Sequence, residues 1–202
     1  MEKIACITGA SSGIGRETSL VLAENGYKLI LCGRRKDRLE SLQKEISVDS
    51  TILIFDVRDL GQVQSSFASL SEDWKNIDVL INNAGNAHGL SPIQDGDIAD
   101  WDAMMHGNVN GLLYVSKSVI PFMIARKQGH IINISSIAGK QIYANGAVYC
   151  ASKAAVEVLS QGMRIDLNPF GIKVSNLAPG AVNTEFSAVR FKGDADKADA
   201  VY

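Results

Sequence analysis

Tyr149 and Lys153 are the residues whose types and spacing point most directly to chemistry. They lie four positions apart in a segment with a helical pattern, so both side chains fall on one face of the helix, one turn apart. Between Gly146 and Gly162 the only charged residues are Lys153 and Glu157, and we therefore expect the lysine to be largely desolvated. A phenol has a reference pKa of about 10, and a cation beside it stabilises the phenolate. The pair could therefore exchange a proton with a substrate near neutral pH.

A hydroxyl group accompanies this pair. Ser136 ends an apolar run thirteen residues before Tyr149, where it could polarise a substrate oxygen beside the phenol. We favour Ser136 over its neighbour Ser135 for this role. Taken alone, Tyr149 and Lys153 could also be a tyrosine at the edge of a core and a lysine that extends to solvent. The catalytic interpretation therefore depends on the motifs found elsewhere in the chain.

The segment from Thr8 to Gly15 reads Thr-Gly-Ala-Ser-Ser-Gly-Ile-Gly and joins a strand pattern to a helix pattern. Glycines permit a tight turn and a close approach of the backbone, and a helix N-terminus offers unpaired N–H groups to a pyrophosphate. The alternative is an ordinary strand-to-helix turn. The sequence predicts a dinucleotide site here, in which the Lys153 ammonium could also bind the nicotinamide ribose.

Two arginines suggest which dinucleotide binds. Arg34 and Arg35 follow the second predicted strand, where an enzyme that uses NAD usually presents an acid to the ribose. Positive charge at this point fits the 2′-phosphate of NADP. Asp37 is a nearby acid, so NAD stays an alternative. The arginines could also belong to a solvated turn. We predict NADP as the cofactor, with Asp56, after the third strand, as a possible acceptor for the adenine amino group.

The elements that must position these residues alternate along the chain. Apolar, β-branched runs predict six strands, at Ile4–Thr8, Lys28–Cys32, Thr51–Phe55, Asp78–Asn82, His130–Ser135 and Ile172–Leu177. Helical patterns lie between them, at Ile14–Asn25, Lys36–Ile46, Leu60–Trp74, Asp97–Arg126 and Tyr149–Leu167. This alternation favours an α/β fold, a Rossmann-like doubly wound parallel sheet with helices on both faces, in one domain over residues 1–202. Ligands bind such sheets beyond the carboxyl ends of the strands, where these motifs fall.

Composition excludes several classes of protein. A formal net charge of −2 gives no electrostatic reason to expect nucleic acid or an anionic membrane as a partner. No apolar stretch approaches the roughly 18 residues needed to cross a bilayer, and the N-terminus has no secretion signal. Three scattered cysteines favour a reducing cytoplasm. The three histidines lie apart from other ligands, so no metal site is expected.

Taken together, the motifs from Thr8 through Thr184 resemble the short-chain dehydrogenase/reductase family. The resemblance implies that Tyr149 is the acid or base, with Lys153 as its electrostatic partner and Ser136 as the residue that polarises the substrate. It also implies that Asn108, rather than Asn110, holds a proton-relay water. The cofactor-binding residues that it implies, with Tyr149 and Lys153, are Gly9, Ser11, Ser12, Gly13, Ile14, Gly15, Arg34, Arg35, Asp56, Val57, Asn83, Ala84, Gly85, Pro179, Gly180, Val182 and Thr184.

The segment Thr184–Asp194 resembles the branch of this family that uses NADP and acts on 3-hydroxy acids or serine. The resemblance implies interconversion of a secondary alcohol and a carbonyl on a small hydroxy or oxo acid. Arg190 or Lys192 could meet the carboxylate of that substrate, unless both belong to an exposed cationic loop. A reductase of 3-oxoacyl thioesters and a non-catalytic regulator that binds NADP(H) are the alternatives.

The same resemblance concerns the end of the chain and its assembly. Members of the family usually continue for several dozen residues beyond the point reached at Tyr202, and that continuation adds a helix and a seventh strand. The sheet of this chain is therefore expected to lack the seventh strand. Homodimers or homotetramers are expected, through the helices that contain Asn108 and Tyr149.

Overall fold

Six parallel strands form one sheet in a computed structural model that describes residues 2–194 and 196. Their order is β3-β2-β1-β4-β5-β6. The strands are β1 (Ile4–Thr8), β2 (Lys28–Gly33), β3 (Ser50–Ile54), β4 (Ile77–Asn82), β5 (Gly129–Ile134) and β6 (Ile172–Leu177). The described α-helices are α1 (Gly13–Glu24), α2 (Lys36–Glu45), α3 (Leu60–Ala68), α4 (Ile98–Met105), α5 (Gly111–Arg126), α6 (Ala147–Leu167) and α7 (Glu185–Arg190). The six predicted strands and their parallel arrangement are confirmed.

The core lies on both faces of this sheet because successive side chains of a strand point to opposite sides. On one face, Cys6 of β1 packs in a buried cluster with residues of α3 and α5, such as Val63 and Val119. On the other face, Ile7 packs with residues of α1 and α2, such as Leu39. Burial on both faces explains why the strands read as nearly continuous apolar runs rather than as alternating ones. The expected doubly wound fold is therefore confirmed, and no seventh strand is found within the described residues.

Two predicted helices differ from the structure. The pattern over Asp97–Arg126 predicted one helix, but a π-helical turn over His106–Asn110 separates α4 from α5. Glycines allow close packing at this turn, since a Cβ on Gly107 would lie 2.7 Å from the side-chain amide of Asn86. The pattern over Leu60–Trp74 also breaks, because α3 ends at Ala68 and a separate 3-10 turn spans Glu72–Lys75.

The winding of the sheet reverses beside β1, which pairs with β2 on one side and with β4 on the other. At such a point the loops after the two strands turn in opposite directions and leave a crevice at the carboxyl ends. The crevice at the carboxyl ends of the strands is therefore where the fold would position a ligand.

None of the helices in the described part of the chain is long and apolar enough to span a membrane.

Candidate active site

A cleft of about 840 Å³ runs along the carboxyl ends of the strands and contains almost all of the predicted site residues. Two predicted residues, Gly15 and Asn108, lie behind its wall instead. The predicted residues that line it are Gly9, Ser11, Ser12, Gly13, Ile14, Arg34, Arg35, Asp56, Val57, Asn83, Ala84, Gly85, Ser136, Tyr149, Lys153, Pro179, Gly180, Val182 and Thr184.

The glycine-rich loop between β1 and α1 forms one end of the cleft. Gly9 and Gly13 have φ angles of 68° and 51°, in the left-handed region that favours glycine. The Ser12 side chain forms no capping hydrogen bond to α1, and the first turn has no acidic residue, so the helix N-terminus suits an anionic ligand. Gly15 acts by packing, since a Cβ there would lie 2.4 Å from the Gly9 carbonyl oxygen. The loop can therefore cradle a pyrophosphate.

Side-chain amides fix the strand ends beside this loop. The Asn83 amide donates to the Thr8 carbonyl oxygen over 2.9 Å, and the Thr8 hydroxyl accepts from the backbone N–H groups of Asn83 and Ala84 at 3.0 Å each. Deeper in the sheet, the Asn82 amide donates to the Asn133 side chain over 2.9 Å. These asparagines link neighbouring strands and thereby fix the position of Gly85.

Tyr149, Lys153 and Ser136 meet at the other end of the cleft. The side chains of Tyr149 and Lys153 are buried and face the cleft together from α6. The Ser136 hydroxyl faces the same cleft and, through its interaction with the phenol, partly offsets the rise that burial causes in the pKa of Tyr149. The Lys153 Nζ donates to the Ile134 carbonyl oxygen over 3.0 Å and lies 6.0 Å from the centre of the Tyr149 ring. The helical spacing thus brings the phenol and the ammonium to one site.

The electrostatics of this cluster differ from the sequence-based expectation for Tyr149. Burial raises the pKa of Tyr149, and the hydrogen bond with Ser136 and the charge of Arg190 reduce that rise only in part. Burial also lowers the pKa of Lys153 to about 8. The phenol is therefore protonated at neutral pH and suited to donate a proton.

The two adjacent serines have different environments. The Ser135 hydroxyl is buried and donates to the Lys153 carbonyl oxygen over 3.0 Å, which ties β5 to α6. The Ser136 hydroxyl accepts from the backbone N–H of Ala138 over 3.1 Å and contacts the phenol. The geometry therefore favours Ser136 as the hydroxyl that could meet a substrate oxygen.

Asn108 lies in the π-helical turn, behind the wall of the cleft. Its side-chain nitrogen donates to the Asn86 carbonyl oxygen and to the Ser152 hydroxyl, each over 2.9 Å. Its side-chain oxygen accepts from the Asn86 backbone N–H over 2.7 Å, and a Cβ on Gly85 would lie 3.0 Å from that oxygen. The Asn108 amide therefore holds the segment that follows Asn83 and Ala84.

The acid after β3 is held by an arginine that the sequence analysis missed. Arg58 Nη2 donates to the Asp56 carboxylate over 2.6 Å, while Arg34 Nη1 lies 3.5 Å from it. Burial raises the pKa of Asp56, but the hydrogen bonds and charge of Arg58 outweigh that effect and lower it overall. Asp56 is therefore an ionised acceptor in the cleft wall. Asp56 and Arg58 lie two positions apart in the sequence, and this spacing was the signal that could have revealed the ion pair.

Aromatic and cationic side chains from separate segments enclose Tyr149. The rings of Phe186 and Tyr149 are 5.8 Å apart, and the Arg190 guanidinium carbon lies 5.7 Å from the Tyr149 ring centre and 5.5 Å from that of Tyr143. Arg190 is buried and donates through Nε to the Gly89 carbonyl oxygen over 3.0 Å. No local motif marks Phe186 or Tyr143, and only their contacts reveal them.

The structure separates the two cations that the sequence left as alternatives. Arg190 lines the cleft beside Tyr149. Lys192 lines a smaller cavity of about 170 Å³ that Tyr149 and Arg190 also border, and its Nζ pairs with Asp100 over 3.0 Å. Arg190 is therefore positioned to meet a substrate in the main cleft, and Lys192 is not. Within the described ranges, no group of three potential metal ligands is found.

A parallel sheet with a glycine-rich loop at its crossover and Ser136, Tyr149 and Lys153 in the same cleft is the arrangement typical of a dinucleotide-binding fold. The model of the short chain dehydrogenase family matches residues 3–195. The chain belongs to this family.

Relatives and solved structures are similar over nearly the whole chain. An NADP-dependent 3-hydroxy acid dehydrogenase of Salmonella typhi is 44% identical, over 98% of this chain and 81% of that protein. Sulfoacetaldehyde reductase 2 of Chromohalobacter salexigens is 42% identical, over 100% of this chain and 81% of that protein. The closed form of a serine dehydrogenase complexed with NADP+ has a TM-score of 0.96 and 42% identity, over 98% of this chain and 81% of that one.

Proposed function

We propose that this protein is an NADP-dependent oxidoreductase that interconverts a secondary alcohol and a carbonyl on a small 3-hydroxy acid or serine-like substrate. The observation that carries the proposal is one cleft lined by the hydroxyls of Tyr149 and Ser136 together with Lys153 and Arg190. The similar proteins named as an NADP-dependent 3-hydroxy acid dehydrogenase and as a serine dehydrogenase with NADP+ support it.

The residues that line the cleft fit this cofactor. The glycine loop and the uncapped start of α1 would hold the pyrophosphate, and Asp56 and Asn83 lie where the adenosine would be held. Arg34 and Arg35 supply positive charge for a 2′-phosphate. Pro179, Gly180, Ala181, Val182 and Thr184 line the same cleft, and Val182 and Thr184 would hold the nicotinamide carboxamide. When bound, the cofactor supplies or accepts the hydride at nicotinamide C4.

Tyr149 moves the proton in this proposal. Its raised pKa keeps the phenol protonated at neutral pH, so in the reducing direction it donates its hydroxyl proton to the carbonyl oxygen of the substrate. The Ser136 hydroxyl orients the same oxygen. Lys153 places a positive charge beside the phenol, which limits the cost of the phenolate left behind. In the oxidising direction Tyr149 takes the proton back from the alcohol.

Arg190 is proposed to bind the carboxylate of the substrate. Its guanidinium is buried, faces the cleft and stacks over the ring of the proton donor, so a small acid held there would be within reach of Tyr149. Desolvated guanidinium groups bind carboxylates through charge-assisted hydrogen bonds. This cation favours an acid over the 3-oxoacyl thioester that was the alternative.

Asn108 has a positioning role in this account. Its three hydrogen bonds hold Asn86 and Ser152, on either side of the cluster formed by Gly85 and Lys153. A water that relays protons between Asn108 and Lys153 remains a proposal taken from the family.

The proposal includes assembly and location. Val158 and Ile165 of α6 are 67% and 74% exposed, which supports a homodimer or homotetramer formed through α5 and α6.

The three free cysteines are buried, which supports a cytoplasmic location.

The function is tested by following NADPH absorbance with a panel of small 3-oxo acids, their methyl esters and a 3-oxoacyl thioester. We expect the wild-type protein to consume NADPH with an oxo acid. Arg190→Met should raise KM for the acid roughly 10- to 100-fold, because a charged hydrogen-bond partner is lost, and should change KM for the neutral ester little. Lys192→Met is the matched control and should leave both values near those of the wild type.

Other outcomes decide between the alternatives. An unchanged KM for the acid in Arg190→Met would remove Arg190 from the substrate site. A clear preference for the thioester would favour the 3-oxoacyl reductase. No NADPH consumption with any substrate, despite binding of NADPH, would favour the regulator.

A further inference from the structure

Glu185 forms an ionic link across the mouth of the cofactor cleft. It is the first residue of α7, and its carboxylate pairs with Arg35 Nη1 over 2.9 Å and with Arg38 Nη1 over 2.5 Å. Arg35 directly precedes α2 and Arg38 lies in its first turn, far from Glu185 in the sequence. Glu185 and Arg35 both line the cleft. The link therefore joins the segment after β6 to the turn after β2, from opposite sides of the site.

Most of the N–H donors of Arg35 already form hydrogen bonds within the protein. Its Nε and Nη2 donate to the Ser11 hydroxyl over 3.2 and 3.1 Å, and Nη2 also donates to the Ser12 hydroxyl over 2.7 Å. Its remaining nitrogen, Nη1, donates to Glu185. Four of the five N–H donors of the guanidinium are therefore used, and the fifth is on the Nη1 that already donates to Glu185, so Arg35 can bind a new anion through two donors only by exchanging a partner. Glu185 is the anionic partner that would compete with it.

Arg34 differs from Arg35 in this respect. Its side chain is 67% exposed, against 39% for Arg35, and its ion pair with Asp56 is long, at 3.5 Å. Asp56 is meanwhile held by Arg58. Arg34 can therefore accept a phosphate through several donors without losing a close partner, whereas Arg35 has one donor left for it.

We propose that Glu185 is an internal competitor for the 2′-phosphate of the cofactor, which must displace the carboxylate from Arg35 in order to bind Arg34 together with two donors of Arg35. The proposal rests on the NADP specificity proposed above. The direct attraction of Arg38 and Arg35 also lowers the pKa of Glu185, so the competitor is ionised at neutral pH. A cofactor without the 2′-phosphate has no group to exchange with Glu185 and leaves the link in place.

The exchange would couple the cofactor to the substrate site. Phe186 and Arg190 belong to the same short helix as Glu185 and pack on the Tyr149 ring. Displacing Glu185 from Arg35 removes one of the two ion pairs that tie this helix to α2 and its preceding turn. Because coupling between two binding events is reciprocal, anything that strengthens the link must weaken binding of the 2′-phosphate.

The test measures binding rather than turnover. Dissociation constants of 2′,5′-ADP and 5′-ADP, which differ by the 2′-phosphate, are measured by calorimetry for the whole chain. Glu185→Gln should bind 2′,5′-ADP about three- to tenfold more tightly than the wild type, since a competing surface ion pair is lost. Binding of 5′-ADP should change less than about twofold. The gain should shrink at high ionic strength, because salt screens exposed charges.

Glu45→Gln is the matched control. Glu45 is 46% exposed, as Glu185 is, and pairs with Arg16, but it does not line the cleft. It should leave both constants unchanged, and an equal gain in this variant would overturn the role of Glu185.

The two proposals fail in different ways. A wild-type protein that prefers 2′,5′-ADP, together with Glu185→Gln that binds it no more tightly, would overturn the competition by Glu185 alone. A wild-type protein with no preference for 2′,5′-ADP over 5′-ADP would overturn the NADP specificity on which that competition rests.

Discussion

At the scale of single residues, burial is what sets the chemistry of the site. Burial raises the pKa of Tyr149 and lowers that of Lys153 to about 8, because each group is easier to keep neutral away from water. The phenol is thereby kept protonated at neutral pH, as the proposed proton donor must be. The lysine, whose ammonium is bonded to the Ile134 carbonyl oxygen, carries a charge that is costly to bury. The proposed proton-transfer site therefore includes a group whose burial lowers the stability of the fold.

Lys153 should make stability depend on pH. Its pKa falls from 10.5 in the unfolded chain to about 8 in the folded protein. Between these values the unfolded chain binds more protons, so the free energy of unfolding rises with pH across this window. Below it both states are charged, and the folded state bears the full cost of burial. Replacing Lys153 by Met should therefore raise the free energy of unfolding near neutral pH by on the order of 2 kcal/mol.

Urea unfolding of the wild type and of Lys153→Met, at a series of pH values, measures this effect. The gain should disappear above pH 10.5, where the wild-type lysine is neutral in both states. Parallel pH profiles for the two proteins would show that the buried ammonium costs no stability.

At the scale of elements, the π-helical turn over His106–Asn110 places Asn108 against the segment that contains Gly85. An insertion of this kind widens one helical turn and redirects a side chain, and π-helical turns are frequent at functional sites. The side-chain amide of Asn108 in this turn therefore connects α5 to the end of the cleft that contains Tyr149 and Lys153.

Asn108→Ala should show what that connection contributes. The substitution leaves the N–H and carbonyl groups of Asn86 without their partner, so the free energy of unfolding should fall by about 1–3 kcal/mol. NADPH should also bind less tightly, because Gly85 loses its support. Denaturant titration and fluorescence titration with NADPH measure the two effects. Asn110→Ala, in the same turn but without these bonds, is the control, and equal losses in both variants would contradict a specific role for Asn108.

How much could be predicted from the sequence follows from how local each signal is. The strands, the glycine loop and the pairing of Tyr149 with Lys153 depend on neighbours within one element, and the structure confirms their arrangement. The link from Glu185 to Arg35 joins segments far apart in the sequence, and no local pattern marks it. The raised pKa of Tyr149 was also missed, because a helical spacing places the two side chains together but does not give their depth.

At the scale of the whole molecule, one face of α6 is buried in the cleft and another is exposed at the surface. One face holds the buried Tyr149 and Lys153, while Val158 and Ile165 leave apolar surface exposed on the other. If that surface packs against a second copy, the interface supports the helix that carries the proton donor. Assembly and activity would then be linked.

Val158→Asp should weaken the proposed assembly, because it would bury an unpaired carboxylate at the interface. Sedimentation velocity should show a shift from dimer or tetramer towards monomer. Val21→Asp changes a similarly exposed valine on α1 and is the control. A wild-type protein that is already monomeric, or a Val158→Asp protein with unchanged assembly, would contradict an interface through α6.

The proposed reaction depends on the phenol of Tyr149 as the group that moves the proton. Tyr149→Phe tests this most directly. The variant keeps the ring that packs on Phe186 and removes only the hydroxyl. We expect kcat for reduction of an oxo acid to fall about 10²- to 10⁴-fold, the range typical of a lost general acid, while the dissociation constant of NADPH stays close to that of the wild type. A Tyr149→Phe protein that binds NADPH and reduces the oxo acid at nearly the wild-type rate would contradict the account.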